Sequence, residues 1–167
     1  RAAAGQPVHL LVGGEAGVGK TRFTGEVARE ATARGFRVLR GECVNLGGSS
    51  LPYGPFVEIL RSIHAESDDA DIAALTGPSR ADLARLVPSF GSDATESLAQ
   101  SEWVQSRLFE GLLGLFGRLA EQTPTLIVFE DLHWADQATR EAISFLIRSL
   151  HDVPIVLLGT YRSDELH

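Results

Sequence analysis

Gly14-Glu15-Ala16-Gly17-Val18-Gly19-Lys20-Thr21 is the stretch on which the reading of this sequence turns. It fits the pattern G-x-x-x-x-G-K-[ST] at every fixed position. Glycines let the backbone curl until successive N–H groups point into one concavity, which suits an anion. A helix that follows adds its free first-turn amides and the positive end of its dipole. In such a loop Lys20 reaches the β- and γ-phosphates as a mobile point charge, and the Thr21 hydroxyl is a ligand for Mg²⁺. The neighbours are the ones this geometry needs. Val8-His9-Leu10-Leu11-Val12 is an apolar run stopped by Gly13-Gly14, and it reads as a buried strand of a parallel sheet. Residues 20–34 place Phe23, Val27, Ala28 and Ala31 on one helical face, with Gly35 as the C-cap. Residues 36–41 (FRVLRG) then read as a second strand, which completes a βαβ unit.

Gly14, Glu15, Ala16, Gly17, Val18, Gly19, Lys20 and Thr21 are therefore the candidate phosphate-binding residues. Composition strengthens this. The chain has 15 basic residues, and Lys20 is its lone lysine among fourteen arginines. A sequence that writes Arg everywhere else keeps Lys at the one place where a point charge on a flexible stem is wanted. Arg22 follows directly. It either assists an α-phosphate or is an exposed arginine of the helix's first turn, and the sequence leaves both readings open.

Phosphoryl transfer also needs a carboxylate in the Mg²⁺ shell and a second one to orient the attacking water. Leu126-Ile127-Val128-Phe129-Glu130-Asp131 delivers two adjacent acids on an apolar strand, at the end where ligands bind in open α/β sheets. If the strand stops at Phe129, Glu130 belongs to the metal shell and Asp131 orients the water. If it runs one residue further, Asp131 takes the metal role. Tyr161-Arg162 follows a fourth apolar run, residues 153–160, and Arg162 is a candidate for sensing the γ-phosphate or stabilising developing charge.

The remaining chain is read more coarsely. Residues 45–53 (NLGGSSLPY) are loop by composition, and residues 55–64 read as a helix that opens near a proline. Residues 66–99 alternate short helical pieces with Gly, Pro and Ser, a helical insertion with mobile joints. Residues 95–121 read as a long amphipathic helix in which Gly111, Gly114 and Gly117 recur every third position. Each costs about 1 kcal/mol relative to alanine, so a close contact is expected there, with the helix lying tight against the sheet. Residues 136–150 read as the last helix.

Bulk properties exclude several classes. With 167 residues, 44% hydrophobic and 22% charged, this is one globular domain, residues 1–167. No run approaches the roughly 18 apolar residues of a membrane span, and RAAAGQPV at the start has no signal-peptide pattern. One cysteine, Cys43, precludes an internal disulfide and points to the cytoplasm. A net charge of −7 argues against this domain gripping nucleic acid itself. The chain begins at Arg1 and lacks Met, so it reads as a piece of a longer polypeptide; the Arg, Ala and Gly bias resembles a GC-rich bacterial genome.

Glu130-Asp131-Leu132-His133-Trp134-Ala135-Asp136 and residues 157–166 (LLGTYRSDEL) resemble the AAA-type ATPase domain of STAND-class proteins. Most similar are the large ATP-binding transcriptional regulators of the LuxR type. Residues 40–43 (RGEC) and 51–56 (LPYGPF) resemble the same proteins, so the resemblance covers nearly the whole chain. It implies an α/β fold, a P-loop NTPase three-layer sandwich of the AAA-like class. There an additional strand separates the phosphate-loop strand from the acidic strand. It implies ATP and Mg²⁺ as cofactors, with Lys20 and Thr21 in Walker A, Glu130 and Asp131 in Walker B, and Arg162 as sensor. It further implies a nucleotide-operated switch, often with ATP-dependent self-association, whose DNA is read by a distant C-terminal helix-turn-helix. His133, Trp134 and Asp136 belong to the signature, as a cap on the strand-to-helix turn or a relay to the phosphate site. The family's segments before Arg1 and after His167 are missing, so weak or absent turnover is expected of this stretch alone. Two alternatives stay open: a non-hydrolysing ATP/ADP switch, and an ATPase module attached to a cyclase or kinase.

Overall fold

A computed structural model describes residues 2, 5–46, 49–91 and 102–165. The phosphate-loop unit forms as its pattern dictates: β1 (Val8–Gly14), α1 (Lys20–Ala33) and β2 (Arg37–Glu42). After it come two-residue strands β3 (Asn45–Leu46) and β4 (Ser49–Ser50), then α2 (Gly54–Ala65), α3 (Asp69–Thr76) and α4 (Arg80–Ala84). The long helix α5 (Glu102–Gln122) leads into β5 (Thr125–Glu130), α6 (Gln137–Ser149) and β6 (Ile155–Arg162).

The four longer strands make one parallel sheet in the order β1-β6-β5-β2. The last strand in the chain thus lies between the phosphate-loop strand and the acidic strand, as the additional-strand topology requires. Period-2 alternation along β5 divides the core. Leu126 and Val128 pack with Leu158 against Ala28, Val27 and Ala31 of α1. Ile127 and Phe129 face the opposite layer with Leu39, Phe56, Ile59, Phe116 and Leu146. Helices therefore cover both faces, a three-layer sandwich.

Several expectations are corrected. β1 is not buried: it is the edge strand of the described sheet, paired only with β6, and Leu10 and Leu11 are 50% and 66% exposed. An apolar run reads the same at an edge as at the centre, because periodicity reports the faces and not the neighbours. Residues 45–53 are not wholly loop, since Asn45–Leu46 and Ser49–Ser50 pair antiparallel; Gly47 and Gly48 lie outside the described residues. Residues 92–101 also lie outside them, and with them the end of the expected insertion and the expected start of the long helix.

The described part of the insertion is bound to α5 by specific contacts. Arg118 donates through Nε to the Leu75 carbonyl at 2.6 Å and through Nη2 to that of Thr76 at 3.0 Å. Within the insertion, Arg80 donates to the Phe90 carbonyl and pairs with Asp69. Arg107 meets the buried Asp82 carboxylate at 2.9 Å. This also relocates the glycine contacts. A methyl group at Gly111 would stand 3.1 Å from Ser79, and one at Gly114 would stand 3.1 Å from the Arg118 guanidinium. The close approach at Gly111 is to the insertion and not to the sheet, that at Gly114 is to a side chain of α5 itself, and Gly117 has open space beside it.

Candidate functional site

The C-terminal edge of the sheet gathers the candidate residues. In parallel register Gly14 is the partner of Arg162, and Glu42 that of Glu130. Beyond Gly14 the loop turns through Gly17 (φ 77°) and Gly19 (φ 101°), left-handed values that side chains resist. Gly19 is the N-cap of α1 and supplies no side-chain hydrogen bond. The first-turn amides of the helix are thus left to another acceptor. Lys20 folds back over the loop, donating from Nζ to the carbonyls of Gly14 (2.8 Å) and Glu15 (2.9 Å). An ammonium has three donors, so this posture fixes the charge over the loop and leaves one N–H to spare. Glu15, Ala16, Gly17, Val18 and Gly19 are exposed, as is Arg22.

The strand ends one residue later than Phe129, since β5 includes Glu130. By strand length alone this would hand the metal role to Asp131. The two acids also differ in their hydrogen-bond partners. The Glu130 carboxylate reaches α1, where its Oε1 accepts from the Thr24 hydroxyl at 2.6 Å. Asp131 instead leaves the strand in the left-handed region (φ 55°, ψ 47°), sparsely populated for a non-glycine residue. Its backbone N–H donates to the Thr160 hydroxyl at 3.1 Å. The Glu130 carboxylate thus lies beside α1, while Asp131 Oδ1 lies 3.9 Å from His133 Nδ1. β6 likewise runs two residues past Thr160, so Tyr161 and Arg162 are strand residues and do not follow it.

The turn after Asp131 carries the DLHWAD signature. Asp136 caps α6, accepting the Thr139 backbone N–H at 3.1 Å and the Thr139 hydroxyl. His133 is almost wholly buried; its Nδ1 accepts from the Arg162 backbone N–H at 3.4 Å and lies 3.9 Å from Asp131 Oδ1. Its ring rests 5.1 Å from that of Trp134. The capping role expected of this segment is what Asp136 performs, and His133 ties the acid turn to the end of β6.

Sequence reading missed one residue here. Glu42 ends β2 beside Glu130, and its carboxyl is raised above the ordinary range. Desolvation comes first, followed by the charges of Asp131, Glu130 and Glu58. A lone acid after FRVLRG gives no signal by itself; only the register reveals that it joins the pair. Cys43 beside it is pushed up to about 12, by burial first and then by Asp136, Asp131 and Glu42, so its thiol stays protonated and is no nucleophile.

A parallel sheet with β6 between β1 and β5, a glycine loop capped by a lysine, and two acids on β5 are also the features of one known domain. The family model of the AAA ATPase domain matches residues 1–158. This chain belongs to that family. As an AAA ATPase domain it is a nucleotide-binding module of the P-loop type. It is similar to an uncharacterized protein of Rhizobium meliloti (strain 1021), with 26% identity over 176 residues. That match takes in 95% of the present chain but only 16% of the relative, so the domain spans a small part of a much longer protein there. Among the described residues no helix is long and apolar enough to cross a membrane.

Oxygen donors at the site fit a hard cation. Thr21 offers a hydroxyl and Glu130 a carboxylate with one oxygen anchored by Thr24. Among the described residues no three His, Cys, Asp or Glu side chains form a cage. Mg²⁺ in phosphoryl-transfer sites is held by one or two protein oxygens, substrate phosphates and water.

Proposed function

We propose that this chain is the ATP-binding and ATP-hydrolysing switch module of a bacterial signalling protein, a LuxR-type helix-turn-helix transcriptional regulator. The observation that carries the ATPase reading is the meeting of Lys20, Glu130, Asp131 and Arg162 at one sheet edge, from the start of α1, the end of β5 with the turn after it, and the end of β6. The regulator part rests on the resemblance of residues 130–136 and 157–166, and DNA is read by a separate domain. ATP-dependent self-association of the whole protein belongs to the same reading.

Each residue then has a task. The amides of residues 14–21 cradle the phosphates, Lys20 neutralises the β- and γ-groups, and Arg22 stands at the α-phosphate side. Bound Mg²⁺ supplies charge neutralisation on the phosphate oxygens, with Thr21 and Glu130 as its protein contacts. Asp131 orients the water that attacks the γ-phosphorus as the bond to the ADP oxygen breaks. Arg162, level with Gly14, stabilises the charge that develops on the γ-oxygens.

Titration calorimetry with Mg²⁺-ATP is the test. Lys20→Ala removes charge-assisted hydrogen bonds of about 1.5–3 kcal/mol, so affinity falls at least tenfold. Unchanged affinity would overturn the phosphate-loop assignment. Steady-state phosphate release by the full-length protein separates hydrolysis from a switch that only exchanges nucleotide.

A further inference from the structure

Thr24 is a polar side chain with no exposed surface, three residues beyond Thr21 on α1. Residues at i and i+3 share a helix face, so Thr24 stands one turn behind the hydroxyl expected at the metal. Its Oγ1 lies 2.6 Å from Glu130 Oε1 and 3.0 Å from the Thr21 carbonyl oxygen. A hydroxyl has one proton, and the shorter contact to a carboxylate is the stronger bond. A buried methyl-bearing residue of the same size would fill this space equally well, so packing does not explain the hydroxyl. The acid explains it. Glutamate carries its carboxylate one methylene further from the strand than aspartate, and a longer, freer side chain needs a fixed point.

We infer that Thr24 is a positioning residue for the metal shell: it holds Glu130 by Oε1 and leaves Oε2 directed at the Mg²⁺ that accompanies the nucleotide. The inference rests on the phosphate-loop reading above. Thr24 acts on α1, the same helix that presents Thr21, so the two protein contacts of the cation are set by one rigid element. It also assigns the metal shell to Glu130 in preference to Asp131, whose backbone is fixed elsewhere by Thr160.

The test measures ATP affinity calorimetrically with and without Mg²⁺, for the whole chain and for Thr24→Val, Thr24→Ser and Glu130→Asp. Loss of an outer contact to a metal-shell group costs about tenfold or more in metal affinity. Thr24→Val should therefore lose most of the gain in ATP affinity that Mg²⁺ confers, leaving the Mg²⁺-free affinity unchanged. Thr24→Ser should retain the gain. In the Glu130→Asp background, where the carboxylate falls short of position 24, adding Thr24→Val should change nothing more. Should Thr24→Val not fold, the same comparison is made with Thr24→Ala. An undiminished Mg²⁺ gain in the valine variant overturns the inference alone. Equal losses in the serine and valine variants, or a further loss in the Glu130→Asp background, reduce Thr24 to a packing residue. A wild-type chain that binds no ATP removes the phosphate-loop reading, and this inference with it.

Discussion

The backbone N–H of Asp131 donates to the hydroxyl oxygen of Thr160 across β5 and β6, at 3.1 Å. This bond holds a non-glycine residue at φ 55°, a conformation that costs on the order of 1–3 kcal/mol unless its surroundings impose it. Asparagine tolerates the same region better than most residues. Asp131→Asn is therefore a test of charge with the backbone preserved. It should lower turnover in the full-length protein by about 10²-fold or more, with ATP affinity changed little. Thr160→Val removes the acceptor of this part-buried N–H and should cost about 1 kcal/mol of stability, read from denaturant midpoints. An Asp131→Asn variant that loses binding and keeps turnover would reassign Asp131 to the metal shell.

Glu42 supplies a pH prediction. Its carboxyl is raised in the folded chain by desolvation and then by Asp131, Glu130 and Glu58. Between the unfolded and folded values the native state holds more protons, so stability falls as pH rises through that window and the deficit persists above it. Below the unfolded value the effect vanishes. Glu42→Gln should thus stabilise the chain at neutral pH and not at strongly acid pH. Melting temperatures of both proteins across that range check it. A variant less stable than wild type at neutral pH would mean the Glu42 carboxylate has a stabilising partner that outweighs its acidic neighbours.

Where the sequence was legible, local chemistry was self-sufficient. The octet at 14–21 specifies its own turn, because glycine at 17 and 19 and helix formers after Lys20 leave few alternatives. The parallel sheet followed from strand–helix alternation, and the place of β6 followed from the family resemblance. Illegible parts depended on neighbours distant in the chain. Leu10 and Leu11 look like core residues until β1 is seen at an edge. Gly111 meets Ser79 and not the sheet, a partner that residue spacing along α5 cannot name. Glu42 joins the acids only through the β2–β5 register. The different surroundings of Glu130 and Asp131 came from Thr24 and Thr160, partners that neither acid's place in the sequence names.

Asp136 should prove structural. It caps α6, and the Thr139 hydroxyl it engages also accepts the backbone N–H of Tyr53 at 3.1 Å. Tyr53 is itself at φ 59° before α2, so the capping carboxylate stands at the end of a chain that fixes two helix starts. Removing an N-cap costs about 1 kcal/mol, and the buried Thr139 loses its acceptor as well. Asp136→Ala should lower stability by about 1–2 kcal/mol, with an unchanged denaturant slope, while Asp136→Asn recovers most of it. ATP affinity should move little. A large loss of affinity at full stability would instead make this residue part of the nucleotide site.

Turnover by residues 1–167 on their own should be slow. The five loop residues from Glu15 to Gly19 are exposed, with Val18 at 67%. Charges on a phosphate held there interact at a surface open to water, where attraction between unit charges 4 Å apart lies between about 1 kcal/mol in bulk water and about 4 near a protein surface, and rises further only as water is excluded. Lys20 and Arg162 therefore stabilise developing charge less than the same groups in a closed site. Positioning supplies most of phosphoryl-transfer catalysis, and an open loop positions poorly. A rate below about 0.01 s⁻¹ is expected, against a median enzyme value near 10 s⁻¹. ATP affinity should also fall as salt rises, because exposed charges are screened within about 10 Å at 0.1 M. Phosphate release measured across a salt series checks both. A brisk, salt-insensitive rate would mean that the edge formed by β1, β5 and β6 is catalytically complete while open to water.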